Sequence, residues 1–316
     1  MLHWPSWKAA IRTATRAATS TIVIVALTVF GDTQSAAART VEHAMGRTSV
    51  PDAPKRVVVL TNEGTEAVLA LGIKPVGAVK SWLGTPWYEH IKGDLDGVQV
   101  LGTENAPNLE IIAALRPDLI LGNKLRQEEM YRQLSAIAPT VFSTTVNGKW
   151  RENLHLYAKA LGREAEGQAL LDAFDARTAS IADRLGDRRE EAISLVRFMP
   201  ATTRVYYNDT FAGTILRQIG FRRPPVQDKP TFADDVTKER IPEMDGDRLF
   251  YFVFDSSNGD ARKAEAEWIA SPLWKRLKAV QSGRVHRVSD AIWNSAGGIA
   301  AANRMLDDIE AIYGLK

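Results

Sequence analysis

Apolar and polar positions alternate along this chain in two registers, and the register switches again and again. "KRVVVL" (55–60) is a short β-branched run and predicts a buried strand. "EGTEAVLALG" (63–72) has helical apolar spacing, with Gly72 as its stop. "KPVGAV" and "GVQVLG" predict two further strands. Asn108 caps a helix that runs to Leu115 and is ended by Pro117. "DLILG" and "PTVFST" follow as strands. Strands that alternate with helices predict a mainly parallel sheet with helices on both faces.

Residues 150–185 break the rhythm. "WRENLHLYAKALG" is a helix closed by Gly162, and residues 163–185 form a longer one, about 34 Å at 1.5 Å per residue. Nothing there is rich in Gly or Ser, so a connection made this way is stiff. The alternation then restarts, with "AISLVRF", "RVYYND", "DRLFYFVF" and "GRVHRVS" as strands and a last helix from Ala300 to Tyr313. The second half repeats the class of the first, and one phrase repeats closely. Asn108-x-Glu110, then Leu115 and Asp118, precede "LIL"; Thr237-x-Glu239, then Met244 and Asp247, precede "LFYF". Each Glu falls at about the second helical position. Carboxylates suit helix N-termini on their own account, by about 0.3–1 kcal/mol, so a plain capping role stands beside a functional one.

The first residues stand apart. Lys8, Arg12 and Arg16 precede "TIVIVALTVF" (21–30), which is shorter than the roughly 20 apolar residues of a membrane span. Ala36-Ala37-Ala38 then fits a small-x-small cleavage site. The pattern predicts a secretory signal over 1–38, with an uncleaved anchor as the alternative. Removing it takes the formal net charge from +2 to neutral. There is no long basic run, which argues against nucleic acid as a partner. The chain has no cysteine and therefore no disulfide. From this we expect a periplasmic monomer that carries no lipid. The expected organisation is signal 1–38, polar leader 39–54, first lobe 55–149, helical segment 150–187 and second lobe 188–316.

Familiar catalytic signatures are absent. There is no GxGxxG after a strand, no Walker loop, no GxSxG elbow, and no histidine pair at metal-ligand spacing. What remains is a set of aromatics and cations at predicted strand ends, where open α/β sheets bind ligands. They are Lys80, Trp82, Asn123, Lys124, Arg126 and Trp150 in the first half, and Arg197, Arg204, Tyr206, Phe232 and Trp293 in the second. Arginine forks suit carboxylates and similar oxygens, and flat rings supply contact area. Together they predict a cleft for an anionic or oxygen-rich ligand with an apolar body. Singly, each is as readily surface charge or edge packing.

Longer phrases identify a family. "RVVVLTNEGTEAVLALGIKPVGAV" (56–79), "NLEIIAALRPDLIL" (108–121), "QLSAIAPTVF" (133–142), "DGDRLFYF" (245–252) and "SPLWKRLKAVQSGRVHRV" (271–288) resemble the periplasmic binding proteins of ATP-driven importers for iron–siderophore complexes and cobalamin. The resemblance covers essentially all of the chain after the signal. It implies two parallel-sheet α/β lobes, joined by a single long rigid helix, with the ligand in the cleft between them. It implies a binding protein and no enzyme, with no cofactor or metal site of its own and iron(III) carried only as a siderophore complex. It also implies that one exposed Glu on each lobe, Glu110 and Glu239, docks onto arginines of an inner-membrane ABC permease served by an ATPase. Ferrichrome-type members carry an Arg shortly before "PNLE", where this chain has Thr103 and Glu104. The cations Lys124, Arg126, Arg197 and Arg204 then suit a citrate-based or mixed carboxylate–hydroxamate complex, with catecholates still open. A haem- or cobalamin-binding member stays open too, with Tyr206 and Tyr207 as the tyrosines available to haem; an enzyme on this scaffold is the remoter alternative.

Overall fold

The computed structural model describes residues 38–146, 148–255 and 259–315. The predicted signal lies outside them except for Ala38, which opens a hairpin. Strands β1 (Ala38–His43) and β2 (Gly46–Pro51) pair antiparallel, from Ala38 opposite Pro51 to His43 opposite Gly46. The stretch expected as a polar leader is thus folded as far as Pro51. Its polar look is the alternation of a half-covered ribbon, in which Val41 and Val50 are buried and most other positions are not. Arg39 fastens it to the body. Its guanidinium donates to the carbonyls of Asp52 (2.7 Å), Lys159 (2.8 Å) and Ala160 (2.9 Å), the last two at the end of helix Trp150–Leu161. Carbonyls of a last helical turn lack an i+4 donor, and Lys159 O otherwise takes only a long bond from the Gly162 N–H (3.3 Å). The helix stops at Gly162, whose φ of 68° is left-handed.

The first lobe is built on β3 (Val57–Val59), β4 (Gly77–Ala78) and β5 (Gln99–Val100). A small antiparallel ribbon, β6 (Gly102–Thr103) with β7 (Ala106–Pro107), leads on to β8 (Leu119–Asn123) and β9 (Thr140–Ser143). The sheet order is β5-β4-β3-β8-β9, and every pair is parallel. Valines 57–59 are wholly buried, which is why the run reads apolar without alternation.

The second lobe holds β10 (Ile193–Phe198), β11 (Thr203–Tyr206), β12 (Ala233–Val236), β13 (Arg248–Val253) and β14 (Val285–Arg287) in the order β12-β11-β10-β13-β14. β10, β13 and β14 are parallel, and β11 and β12 extend them antiparallel at one edge. The cause is chain length. Only the turn closed by Met199 N–H to Thr202 O (3.0 Å) separates β10 from β11, and a parallel return needs a dozen residues or more.

One helix, Glu164–Leu185, joins the lobes with 22 residues, about 33 Å at 1.5 Å each. It does not work alone. Arg177 donates to Asn303 O (3.0 Å), Asp307 (2.6 Å) and Glu310 (2.5 Å) on the last helix, Ile299–Tyr313. Arg184 reaches Glu310 and Leu315 O, and Arg188 reaches Tyr313 O (2.9 Å). The last helix in turn plugs into the first lobe. Its Ala301 N–H donates to Glu66 (2.9 Å), whose other oxygen meets His90 at 2.5 Å. One buried cluster runs through both lobes, from Val57 and Leu119 by way of Tyr157, Phe174 and Met305 to Ile193 and Phe250. A large hinge rotation would have to break that core.

Gly298 lets the plug seat. A Cβ there would lie 2.6 Å from Glu66 Oε2 and 2.7 Å from Glu66 Cβ. Glu66 is held at both oxygens and cannot withdraw. Gly298→Ala is expected to destabilise by about 1–3 kcal/mol, as overpacking does. Thermal denaturation checks it, and an unchanged melting temperature would mean that the contact is slack.

Candidate functional site

Between the lobes lies a cleft of about 430 Å³. Glu63, Trp82, Glu104, Leu125, Arg126 and Val146 line it from the first lobe. Arg197, Met199, Arg204, Tyr206, Phe211, Phe232, Phe254 and residues 294–297 line it from the second. Most sit just beyond strand ends, as the sheet topology requires: Glu63 follows β3, Leu125 and Arg126 follow β8, Met199 follows β10, and Phe254 follows β13.

The cations are individually braced. Arg197 and Arg204 are directly opposite each other across β10 and β11, a like-charge pairing that is unfavourable unless each has its own counter-charge. Each has one. Arg197 Nε and Nη2 bind the two oxygens of Asp290 at 2.6 and 3.0 Å, a bidentate fork, while Nη2 also reaches Ser295 Oγ (3.2 Å) and Nη1 reaches the Tyr206 hydroxyl (3.2 Å). Burial works against the charge on Arg197, but the facing Asp290 and Tyr206 more than offset it and hold the guanidinium charged. The Phe254 ring lies under it, 4.6 Å from centroid to Cζ. Arg204 is more open and pairs with Asp235 at 2.6 Å, which strengthens its hold on the proton. Arg126 stands across the cleft, 5.7 Å over the Trp82 ring and 3.5 Å from Glu104. Glu104 is buried and takes the Asn62 backbone N–H and side-chain amide, each at 2.7 Å. Burial raises its pKa, and the Asn62 bonds and Arg126 oppose the rise. Tyr206 is packed edge-on to Phe232 at 5.3 Å.

Thus Trp82, Arg126, Arg197, Arg204, Tyr206 and Phe232 come together on the cleft. Five other expected residues are elsewhere: Lys80 is exposed off the lining, Asn123 is buried with its amide on Ser143 Oγ (2.7 Å), and three more lie away from the cleft as well. Trp150 is buried against Phe174 and Phe211, at 5.1 and 6.0 Å, behind the cleft wall. Trp293 is wholly buried, stacked on Phe250 at 4.6 Å, with its indole N–H on Asp308 (2.8 Å). Both rings are core because the helical segments that carry them turn them inward. Lys124 pairs with Glu128 one helical turn on, at 3.4 Å, and is not part of the lining. Tyr207 is on the opposite face of its sheet from Tyr206, and its hydroxyl donates to Asp234 (2.7 Å). Sequence reasoning missed Glu63, Phe211, Phe254 and Asp290; only "VSD" just past a strand hinted at the last.

Glu110 and Glu239 are exposed, away from the cleft. Glu110 is the second residue of helix Leu109–Ala114, whose cap Asn108 accepts from Ile111 N–H at 3.0 Å. Glu239 is the second residue of the 3₁₀ helix Lys238–Met244, and a hydrogen bond from Thr237 lowers its pKa. Among the described residues no group of three or more His, Cys, Asp or Glu is placed to hold a metal ion, and no helix is long and apolar enough to cross a membrane.

Comparison with known proteins places this geometry. Residues 57–291 match the model of the periplasmic binding protein family. A probable siderophore-binding lipoprotein of Bacillus subtilis, YfiY, is 51% identical over 292 residues, covering 89% of this chain and 90% of its own. A putative ABC transporter substrate-binding lipoprotein of the same organism, YhfQ, is 30% identical over 283 residues, covering 85% and 87%. The crystal structure of Staphylococcus aureus SirA complexed with staphyloferrin B superposes with a TM-score of 0.83 at 37% identity, covering 87% of this chain and 98% of that one. These relatives correct one expectation. Export into a periplasm through a cleaved signal, without a lipid, does not stand beside two relatives that are lipoproteins. Absence of cysteine was too thin a basis for deciding how the protein is held outside the cytoplasm. The two lobes, the bridging helix and the cleft are those of a binding protein rather than an enzyme, and the chain belongs to the periplasmic binding protein family.

Proposed function

We propose that this protein captures a ferric siderophore in the cleft and delivers it to an ABC permease for iron uptake. The observation that carries this reading is the trio of braced arginines with their rings: Arg126 over Trp82, Arg197 over Phe254, and Arg204 beside Tyr206 and Phe232. They come from both lobes and face an anionic, partly apolar ligand from two sides. Each is held by a carboxylate behind it, so the forks are set before the ligand arrives and little side-chain entropy is lost on binding. The chemistry suits a ferric complex with carboxylate arms, and the relatives' siderophore ligands support the same reading. Iron is cargo here, its coordination sphere filled by the siderophore. Glu110 and Glu239 complete the proposal as the contacts to the permease, one on each lobe. Haem is disfavoured, since the Tyr206 hydroxyl is already engaged by Arg197 and Tyr207 faces away.

Intrinsic fluorescence tests the ligand class, with Trp82 as the reporter in the cleft. Saturable quenching is expected with ferric citrate or ferric staphyloferrin B, and none with ferric chloride held soluble by a weak chelator that the cleft cannot grip. A response to ferric ion alone, or none to ferric carboxylates, hydroxamates and catecholates alike, would sink the reading.

A further inference from the structure

Two carboxylates line a cleft read here as a site for an anion, and only one of them is explained. Glu104 is consumed in holding Asn62 and Arg126. Glu63 is not. It is buried at the start of helix Asn62–Ala70, is among the residues lining the cleft, and has one oxygen, Oε1, closed off from solvent and without a hydrogen-bond partner. Its other oxygen, Oε2, accepts from Asn153 Nδ2 at 3.0 Å. The direction of that bond is fixed, because the same amide nitrogen also donates to the carbonyl of Thr145 at 2.6 Å, and a carbonyl can only accept. So Oε2 is an acceptor, and any proton on this carboxyl belongs on Oε1.

A proton belongs there. The charges acting on Glu63 are carboxylates on every side: Glu66 on its own helix, Glu104 on the β6–β7 ribbon, and Glu152 on helix Trp150–Leu161, which also supplies the buried phenol of Tyr157. Burial first, and these like charges after it, push the Glu63 pKa well above the ordinary carboxyl value, against the single opposing bond from Asn153. An ionised Glu63 would be a buried charge without a counter-ion, which proteins avoid by keeping the proton. A carboxyl kept neutral in this way becomes a hydrogen-bond donor, and a donor is what an anion-binding site needs.

We propose that Glu63 is held as a neutral acid and donates, through Oε1–H, a hydrogen bond to an anionic oxygen of the bound ferric siderophore. The inference rests on the reading of the cleft as the siderophore site. It makes Glu63 a specificity residue. A carboxylate or phenolate oxygen at the cleft wall beside Glu63 satisfies the Oε1 proton once a small turn of the carboxyl opens it to the cleft, while an apolar group there leaves a buried donor unpaired.

Two measurements decide it. In the infrared spectrum at neutral pH, the wild-type protein should show the C=O stretch of a protonated carboxyl that Glu63→Gln removes, and ferric staphyloferrin B should shift that band. In titrations with the same complex, Glu63→Gln, which keeps size and a donor, should stay within about threefold of wild type. Glu63→Leu, equally neutral and without a donor, should bind at least about tenfold more weakly, measured well below a melting temperature that falls somewhat because the Asn153 amide loses an acceptor. A spectrum in which no protonated-carboxyl band is lost in Glu63→Gln overturns the proposal, and so does a Glu63→Leu protein that binds as tightly as wild type. If the wild-type protein binds no ferric siderophore at all, it is the reading of the cleft that has failed, and this inference goes with it.

Discussion

The Arg197→Ala protein is expected to melt on the order of 5–10 °C lower than wild type and to bind its ferric ligand at least about tenfold more weakly. The two losses have different causes. Asp290 is 1% exposed at its side chain and gives both oxygens to Arg197. Removing one partner of such a pair strands the other charge, at about 3–5 kcal/mol. The binding loss comes from the fork itself, which is held toward the cleft by Asp290, Ser295 and Tyr206. A second substitution separates the causes. Arg197→Ala with Asp290→Ala removes the stranded carboxylate and should recover most of the stability, yet none of the affinity. Denaturation and titration of the same preparations give the answer. A single variant of normal affinity would take Arg197 out of the site. A double variant no more stable than the single would show that the pair's worth is packing around the Phe254 ring rather than charge.

The architecture was legible because burial on both faces leaves a plain mark. Val57–Val59 and Leu119–Leu121 are unbroken apolar triplets, and each is a central strand of a parallel sheet. The bridging helix was legible from length and from the absence of breakers between Glu164 and Leu185. The hairpin Ala38–Pro51 was not, since a ribbon that buries only Val41 and Val50 carries too few apolar positions to stand out. Nor was the antiparallel edge of the second sheet. It depends on the tightness of one turn, and "MPATT" does not announce whether the chain reverses or crosses over.

The site was half legible, for a reason that its residues share. An arginine inside an apolar strand, as in "SLVRF", has no business in a core, and so it points to a place where charge is used. A tryptophan carries no such information. Trp82 meets Arg126 at the cleft, whereas Trp150 and Trp293 are core rings, and the three look alike in sequence. Carboxylates were the blind spot. Glu63 follows a cap-like Thr-Asn and reads as a first-turn acid; that it is buried among other carboxylates depends on Glu104 and Glu152, which arrive from distant segments. Asp290 likewise gains its meaning only from Arg197, paired across 93 residues of chain.

Removing Glu110 and Glu239 together should abolish most iron uptake while leaving the isolated protein nearly untouched. Both side chains are exposed, both occupy the second position of a short helix, and neither lines the cleft. The repeat of the phrase in two lobes that share a rigid bridge gives them a fixed separation, which two independent helix caps would not need. Exposed as they are, an ion pair to either is worth only about 0–1 kcal/mol; desolvated in a docked complex, a charge pair can couple by about 1.5–7 kcal/mol. Two such contacts would fix the orientation of the cleft over a permease as well as the affinity. Glu110→Ala with Glu239→Ala should therefore keep wild-type ligand affinity and melting temperature within error. Uptake in cells, and stimulation of the transporter ATPase in vesicles, should fall at least about tenfold, the equivalent of about 1.4 kcal/mol. Reversal to lysine should be worse than alanine, because in the docking role it would set like charges against arginines of the permease. Capping makes the opposite forecast. Were the glutamates there to quiet the helix dipole, the double variant would lose some stability, most visibly around Glu239 with its Thr237 bond, and transport would follow protein level alone. Normal uptake at normal expression would retire the docking role, and weakened ligand binding would mean that the two carboxylates act on the cleft after all.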